Sequence, residues 1–84
     1  MQIMDSTEIK TQGPAPELSL FLPVLDEEEN LRPMYEKIRA ALDALGKSAE
    51  VIFVDDGSTD KSLSILKEIA VSDDRVRVIS LRRN

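Results

Sequence analysis

Apolar and polar positions along this chain fall into blocks whose period changes. Leu18-Ser19-Leu20-Phe21-Leu22 is short and nearly continuous in apolar residues, which predicts a strand buried on both faces. Pro23 has no N–H to donate and predicts the end of regular pairing. A polar loop, Asp26-Glu27-Glu28-Glu29-Asn30, follows. Leu31, Met34, Tyr35, Ile38, Leu42 and Leu45 then recur at helical spacing and form one core-facing stripe. Asn30 suits the helix N-cap, the acids before it suit the positive end of the helix dipole, and Pro33 sits in the first turn, where a missing N–H does little harm. Gly46 stands where a left-handed C-cap belongs, so the helix is predicted from about residue 31 to about residue 45.

Val51-Ile52-Phe53-Val54 predicts a second buried strand. Ser58 or Thr59 can cap a second helix, Thr59 to Ala70, with Leu63, Leu66 and Ile69 on its apolar face and Ile65 and Ala70 beside them. Ser72-Asp73-Asp74 breaks the pattern. Val76, Val78 and Ile79, continuing to Leu81, predict a third strand, with Arg77 at its more exposed position. The first 17 residues contain Gly13-Pro14-Ala15-Pro16 and read as a flexible leader.

Strands joined through helices imply parallel pairing with right-handed crossovers, so the predicted class is α/β, in the order βαβαβ with three parallel strands. Open sheets of this kind bind ligands beyond the carboxyl ends of their strands. Asp26-Glu27 follows strand one and Asp55-Asp56 follows strand two, so both acidic pairs reach the same rim.

Composition narrows the chemistry. The 84 residues are 42% hydrophobic and 32% charged, as in a small globular domain. There is no cysteine and no histidine, so disulfides, thiolate and imidazole metal ligands and a Ser-His-Asp triad are excluded within the chain. The net charge of −5 disfavours nonspecific nucleic-acid or anionic-membrane binding. It also repels a phosphate-bearing ligand, a difficulty a divalent cation would relieve. No apolar run reaches the ~18–20 residues of a membrane helix, and the N-terminus lacks the apolar block of a secretory signal.

Asp55-Asp56-Gly57-Ser58 admits two readings. It could be a solvated turn followed by a helix cap, since Asp and Gly are ordinary turn residues. It could equally place an acceptor-only carboxylate against the N–H edge of a uracil or guanine base, with Gly57 giving the backbone room to approach. Neither G-x-G-x-x-G nor G-x-x-x-x-G-K-[ST] is present, so phosphate is not cradled in those ways. Arg82 and Arg83 are either a polar strand end or a phosphate contact.

Together, "LFLPVLDEEENL", "VIFVDDGSTDKS" and "VRVISLRRN" resemble the start of a family 2 glycosyltransferase. The likeness runs from Leu18 to Asn84 and is nearest to the branch that glycosylates polyprenyl phosphates, similar to dolichol-phosphate mannose synthase. It implies the GT-A fold and a nucleotide-diphosphate-sugar donor. The family pattern P-x-x-N-E, which borders the base and ribose, matches at Pro23 and Glu27. Asp26 replaces its asparagine, and Leu25 stands where many members have tyrosine. The V-D-D-G-S pattern matches at Val54, Asp55, Asp56, Gly57 and Ser58, with Asp55 placed to contact the base. The resemblance thus implies a nucleotide site built from Pro23, Leu25, Glu27, Val54, Asp55, Asp56 and Ser58.

The family's D-x-D motif, which holds Mg²⁺ or Mn²⁺ on the diphosphate, has no counterpart in this chain. Nor has the acceptor-binding half. The resemblance therefore implies the N-terminal fragment of a longer enzyme, inactive by itself, located in the cytoplasm or on the cytoplasmic face of a membrane. It also implies that strand three is outermost, then strand two, then strand one, leaving Leu18 to Leu22 as a free edge that invites self-association. Two alternatives stay open. A receiver-like phospho-switch would also use adjacent acids to bind Mg²⁺, although the third strand ends in Ser80-Leu81-Arg82-Arg83 with no acid. A non-catalytic interaction fragment needs none of this chemistry.

Overall fold

The computed structural model describes the backbone of residues 3–4 and residues 15–81. Its elements are β1 (Ile3–Met4), β2 (Leu18–Val24), α1 (Leu31–Leu45), β3 (Ala49–Asp55), α2 (Ser62–Ser72) and β4 (Val76–Ser80). They form one parallel sheet in the order β1-β4-β3-β2. The α/β class and the parallel β2-α1-β3-α2-β4 unit are those expected, a Rossmann-like half. β1 is an addition: it lies within the segment read as a leader and pairs Ile3 with Val78 and Met4 with Ile79, so the third strand of that unit, β4, is not outermost as expected but flanked on both sides. Arg82 and Arg83 lie outside the described residues.

Both crossovers step the same way across the sheet, and right-handed connections then carry both helices to one face. Leu31, Tyr35 and Leu42 of α1 and Leu66, Ile69 and Ala70 of α2 pack there against Val24, Val51, Phe53, Val76 and Val78. Phe53, Leu31, Leu66 and Val78 are completely buried and centre this core.

β2 departs from the sequence reading twice. Its burial alternates instead of being continuous, with Phe21 55% exposed on the face away from the helices. On that face Ile52 of β3 and Ile79 of β4 are buried, so the exposure belongs to the edge strand rather than to the whole face. Pairing also continues through Pro23, which lies opposite Val54. The Leu18 N–H donates to Ser48 O (3.2 Å) and Val24 O accepts the Asp56 N–H (2.9 Å), so even-numbered residues turn their backbone groups toward β3. In a parallel ladder the odd-numbered ones, Ser19, Phe21 and Pro23, turn theirs to the free edge. The N–H that Pro23 lacks is one that no ladder bond would have used, which is the edge position where proline is tolerated.

The helix ends are set by neighbouring groups. Gly46 terminates α1 at φ 67°, its N–H donating to Leu42 O, as its left-handed preference requires. Asn30 does occupy the N-cap, but its side chain donates to Glu27 Oε2 (2.9 Å) instead of capping the helix. Leu45, counted in the apolar stripe, is 56% exposed. α2 starts at Ser62, not Thr59, and the Thr59 and Asp60 amides donate instead to Asp26 Oδ1 across the rim.

At the amino end of the sheet, Asp73 ties three elements together. It accepts hydrogen bonds from Tyr35 Oη (2.7 Å) and from the Arg75 backbone and guanidinium (3.0 Å), while Arg75 also reaches Asp43 (2.9 Å). Burial raises the Asp73 carboxyl, but the bonds from Arg75 and Tyr35 outweigh it and hold the group at about 2. Burial, then the bond to Asp73, push the Tyr35 phenol up to about 12.

Candidate functional site

The opposite rim is built from two loops, residues 25–30 after β2 and residues 56–61 after β3. Parallel pairing brings them side by side. The Asp56 N–H donates to Val24 O (2.9 Å) and the Leu81 N–H to Asp55 O (2.9 Å), so the carboxyl ends of β2, β3 and β4 are knitted together.

The paired aspartates part company here. Asp55 is the last residue of β3 and is buried, 2% exposed, on the helix-covered face. Its carboxylate accepts the Ser58 hydroxyl through Oδ1 and the Ser58 N–H through Oδ2 (3.4 Å). Asp56 is half-buried. Gly57 turns the chain at φ 82°, a conformation that favours glycine, and so returns Ser58 to Asp55.

The two loops are fastened by side chains of each. Ser58 Oγ accepts the Asp26 N–H (2.9 Å), and Ser62 Oγ accepts the Glu27 N–H (2.9 Å). Asp26 Oδ1 accepts the Thr59 N–H (2.8 Å), the Asp60 N–H (3.3 Å) and the Thr59 hydroxyl (3.4 Å). Asp60 accepts the Ser62 N–H (2.8 Å) and the Glu28 N–H (3.2 Å). Partial burial raises the Asp60 carboxyl, but the donors from Ser62 and Glu28 prevail and hold it below the usual carboxylate range. Between the loops lies an open depression of about 300 Å³ lined by Asp26, Glu27, Glu28, Glu29, Asn30 and Asp60.

The residues expected to form a nucleotide site are thus gathered at one rim but not on one surface. Asp55 and Ser58 touch. Pro23 and Val54 are register partners on the opposite face of the sheet from Asp55. Leu25 is 52% exposed, and Glu27 is exposed, with its backbone oxygen accepting the Asn30 and Leu31 N–H groups. Sequence reasoning passed over Asp60 and Ser62 as loop fasteners. The signal was present as Asp60-Lys61-Ser62, an aspartate two residues before a donor at a helix start.

The divalent cation implied by the resemblance does not fit these residues. Among the described residues no group of three or more His, Cys, Asp or Glu side chains could hold a metal ion, because the rim carboxylates are turned toward backbone and hydroxyl donors. Nor is any helix among them long and apolar enough to cross a membrane.

Comparison with known proteins agrees with the resemblance. The family profile of Glycosyl transferase family 2 matches residues 19–84. The chain is 40% identical over 68 residues to the undecaprenyl-phosphate 4-deoxy-4-formamido-L-arabinose transferase of Edwardsiella ictaluri, covering 80% of this chain and 21% of that protein. It is 37% identical over 67 residues to the bactoprenol glucosyl transferase of Shigella phage SfV, covering 80% and 22% respectively. A glycosyltransferase of Bacillus subtilis, YkcC, is 36% identical over 66 residues, covering 79% of this chain and 20% of its own length. The chain therefore spans about one fifth of the length of these relatives.

Proposed function

We propose, from the premise that this chain belongs to glycosyl transferase family 2, that the rim around Asp55 binds the nucleoside of a nucleotide-diphosphate sugar. The sugar would pass from that donor to a polyprenyl phosphate or a similar acceptor. The acceptor class follows the names of the relatives, two of which refer to undecaprenyl phosphate or bactoprenol. The observation that carries the nucleoside reading is a buried carboxylate at the carboxyl end of a central parallel strand, held by a glycine-turned loop. Buried acids at such a position have a defined direction and retain acceptor capacity beyond the bonds Ser58 supplies. The diphosphate needs a cation from outside the described residues, and the 84-residue chain by itself is expected to bind nucleotide without transferring sugar.

Titrating the chain with uridine and guanosine diphosphates by calorimetry tests this reading. Asp55→Asn replaces an acceptor oxygen by a donor and should cost roughly 1–3 kcal/mol of affinity, about ten- to hundredfold. Circular dichroism checks that the variant keeps its fold. Equal affinity for parent and variant leaves Asp55 as a turn residue only.

The same fold supports self-association. β2 turns the free backbone groups of Ser19 and Phe21 outward beside the exposed Phe21 ring. Sedimentation should show mass rising with concentration, and Phe21→Lys should abolish the rise without touching the core. A parent chain that stays monomeric at millimolar concentration removes the idea.

A further inference from the structure

We propose that Asp26 is the positioning residue of this rim, the one group that sets both the shape of the residue 58–60 loop and the direction of the Asp55 carboxylate. The inference rests on the nucleoside reading for its functional meaning, but its geometry stands apart from it.

Among the described residues Asp26 alone is a non-glycine residue at positive φ, 49°. Aspartate and asparagine are the side chains that tolerate this left-handed conformation best, because a short polar group can bond locally. The conformation has a use. It points the Asp26 N–H at Ser58 Oγ (2.9 Å) while the carboxylate crosses to the Thr59 and Asp60 amides (2.8 and 3.3 Å). One residue thereby engages three consecutive residues of the opposite loop.

The Ser58 hydroxyl completes the relay. It accepts from the Asp26 N–H and donates to Asp55 Oδ1, so its rotor has a single setting that satisfies both neighbours. Displacing Asp26 releases that rotor, and with it the orientation of the carboxylate. The requirements at position 26 are then a side-chain acceptor oxygen and tolerance of positive φ. Asparagine meets both requirements, which makes Asp26→Asn the conservative variant.

Three variants separate the requirements. Asp26→Asn keeps both the acceptor and the backbone tolerance. Asp26→Gly keeps the backbone and removes the acceptor. Asp26→Ala removes both. Amide hydrogen exchange of the 84-residue chain, read by NMR, should show Thr59 and Asp60 losing about tenfold in protection in Asp26→Gly and more in Asp26→Ala. Phe53 in β3 should hold its protection, and Asp26→Asn should stay within about twofold of the parent at every site. Titration with uridine and guanosine diphosphates is the second readout, with Asp26→Gly weakening whichever nucleotide the parent binds by about tenfold. Unchanged exchange at Thr59 and Asp60 in Asp26→Gly overturns the inference, as does parental nucleotide affinity in a variant whose loop has loosened. A parent chain that shows no saturable nucleotide binding, with the exchange pattern as expected, overturns the nucleoside reading and leaves the loop-setting role of Asp26 intact.

Discussion

Phe53→Ala should come close to unfolding the chain, whereas Phe21→Ala should be nearly silent. The two phenylalanines sit on adjacent strands, but Phe53 is 0% exposed at the centre of the helix-covered core and Phe21 is 55% exposed on the other face. Emptying a buried phenylalanine site removes apolar burial and leaves a cavity, roughly 3–5 kcal/mol together. A domain of this size has only about 4–12 kcal/mol in total. The melting temperature should therefore fall by some 15–30 °C, or cooperative unfolding should vanish. Phe21→Ala should move stability by less than ~0.5 kcal/mol. Thermal denaturation followed by circular dichroism reads both, and equal losses would place the core elsewhere.

The second large effect belongs to Asp73. Its side chain is 11% exposed and accepts from Tyr35 and Arg75 together, so Asp73→Ala leaves a buried phenol and part of a guanidinium unpaired. A loss of roughly 2 kcal/mol is expected. The pH dependence carries the same signature. The folded carboxyl titrates at about 2, below its ordinary 3.8, so the unfolded chain takes up the proton first. The stabilisation is complete above about pH 4 and is lost as pH falls from there toward 2, amounting to about 1–2 kcal/mol. Tyr35 supplies the alkaline counterpart. Its phenol titrates at about 12 in the fold, raised from 10, so the stability it lends is present below pH 10 and disappears between 10 and 12. Urea unfolding across the two windows should show Asp73→Ala flattening the acid limb and Tyr35→Phe the alkaline one. An acid limb of unchanged steepness in Asp73→Ala would assign the loss to other carboxylates.

Local rules were enough for much of the rim. Asp55 at a strand end and Gly57 at a turn are each readable from residue type and neighbours, and the crossover rule alone brings the two acidic loops to the same edge. What those rules did not reveal is the division of labour. Nothing in "VIFVDDGSTD" says that the first aspartate is buried on a serine hydroxyl, because that depends on which face of β3 the helices cover. Nothing in "LDEEEN" says that Asp26 reaches over to Thr59 and Asp60, a contact across more than thirty residues that exists only after β2 and β3 pair in register.

The strand–helix alternation, the α1 stripe with Gly46 at its end, the α/β class and the family itself were determined by the sequence, because periodicity and short motifs are properties of neighbouring residues. The tertiary structure decided the remainder. It set the edge position that lets Pro23 stay inside a strand, the bonding of the Thr59 and Asp60 amides to Asp26 ahead of α2, and the burial that separates Phe53 from Phe21. Each of these is a matter of which groups are left unpaired or uncovered once the sheet has formed, and that depends on partners distant in the chain.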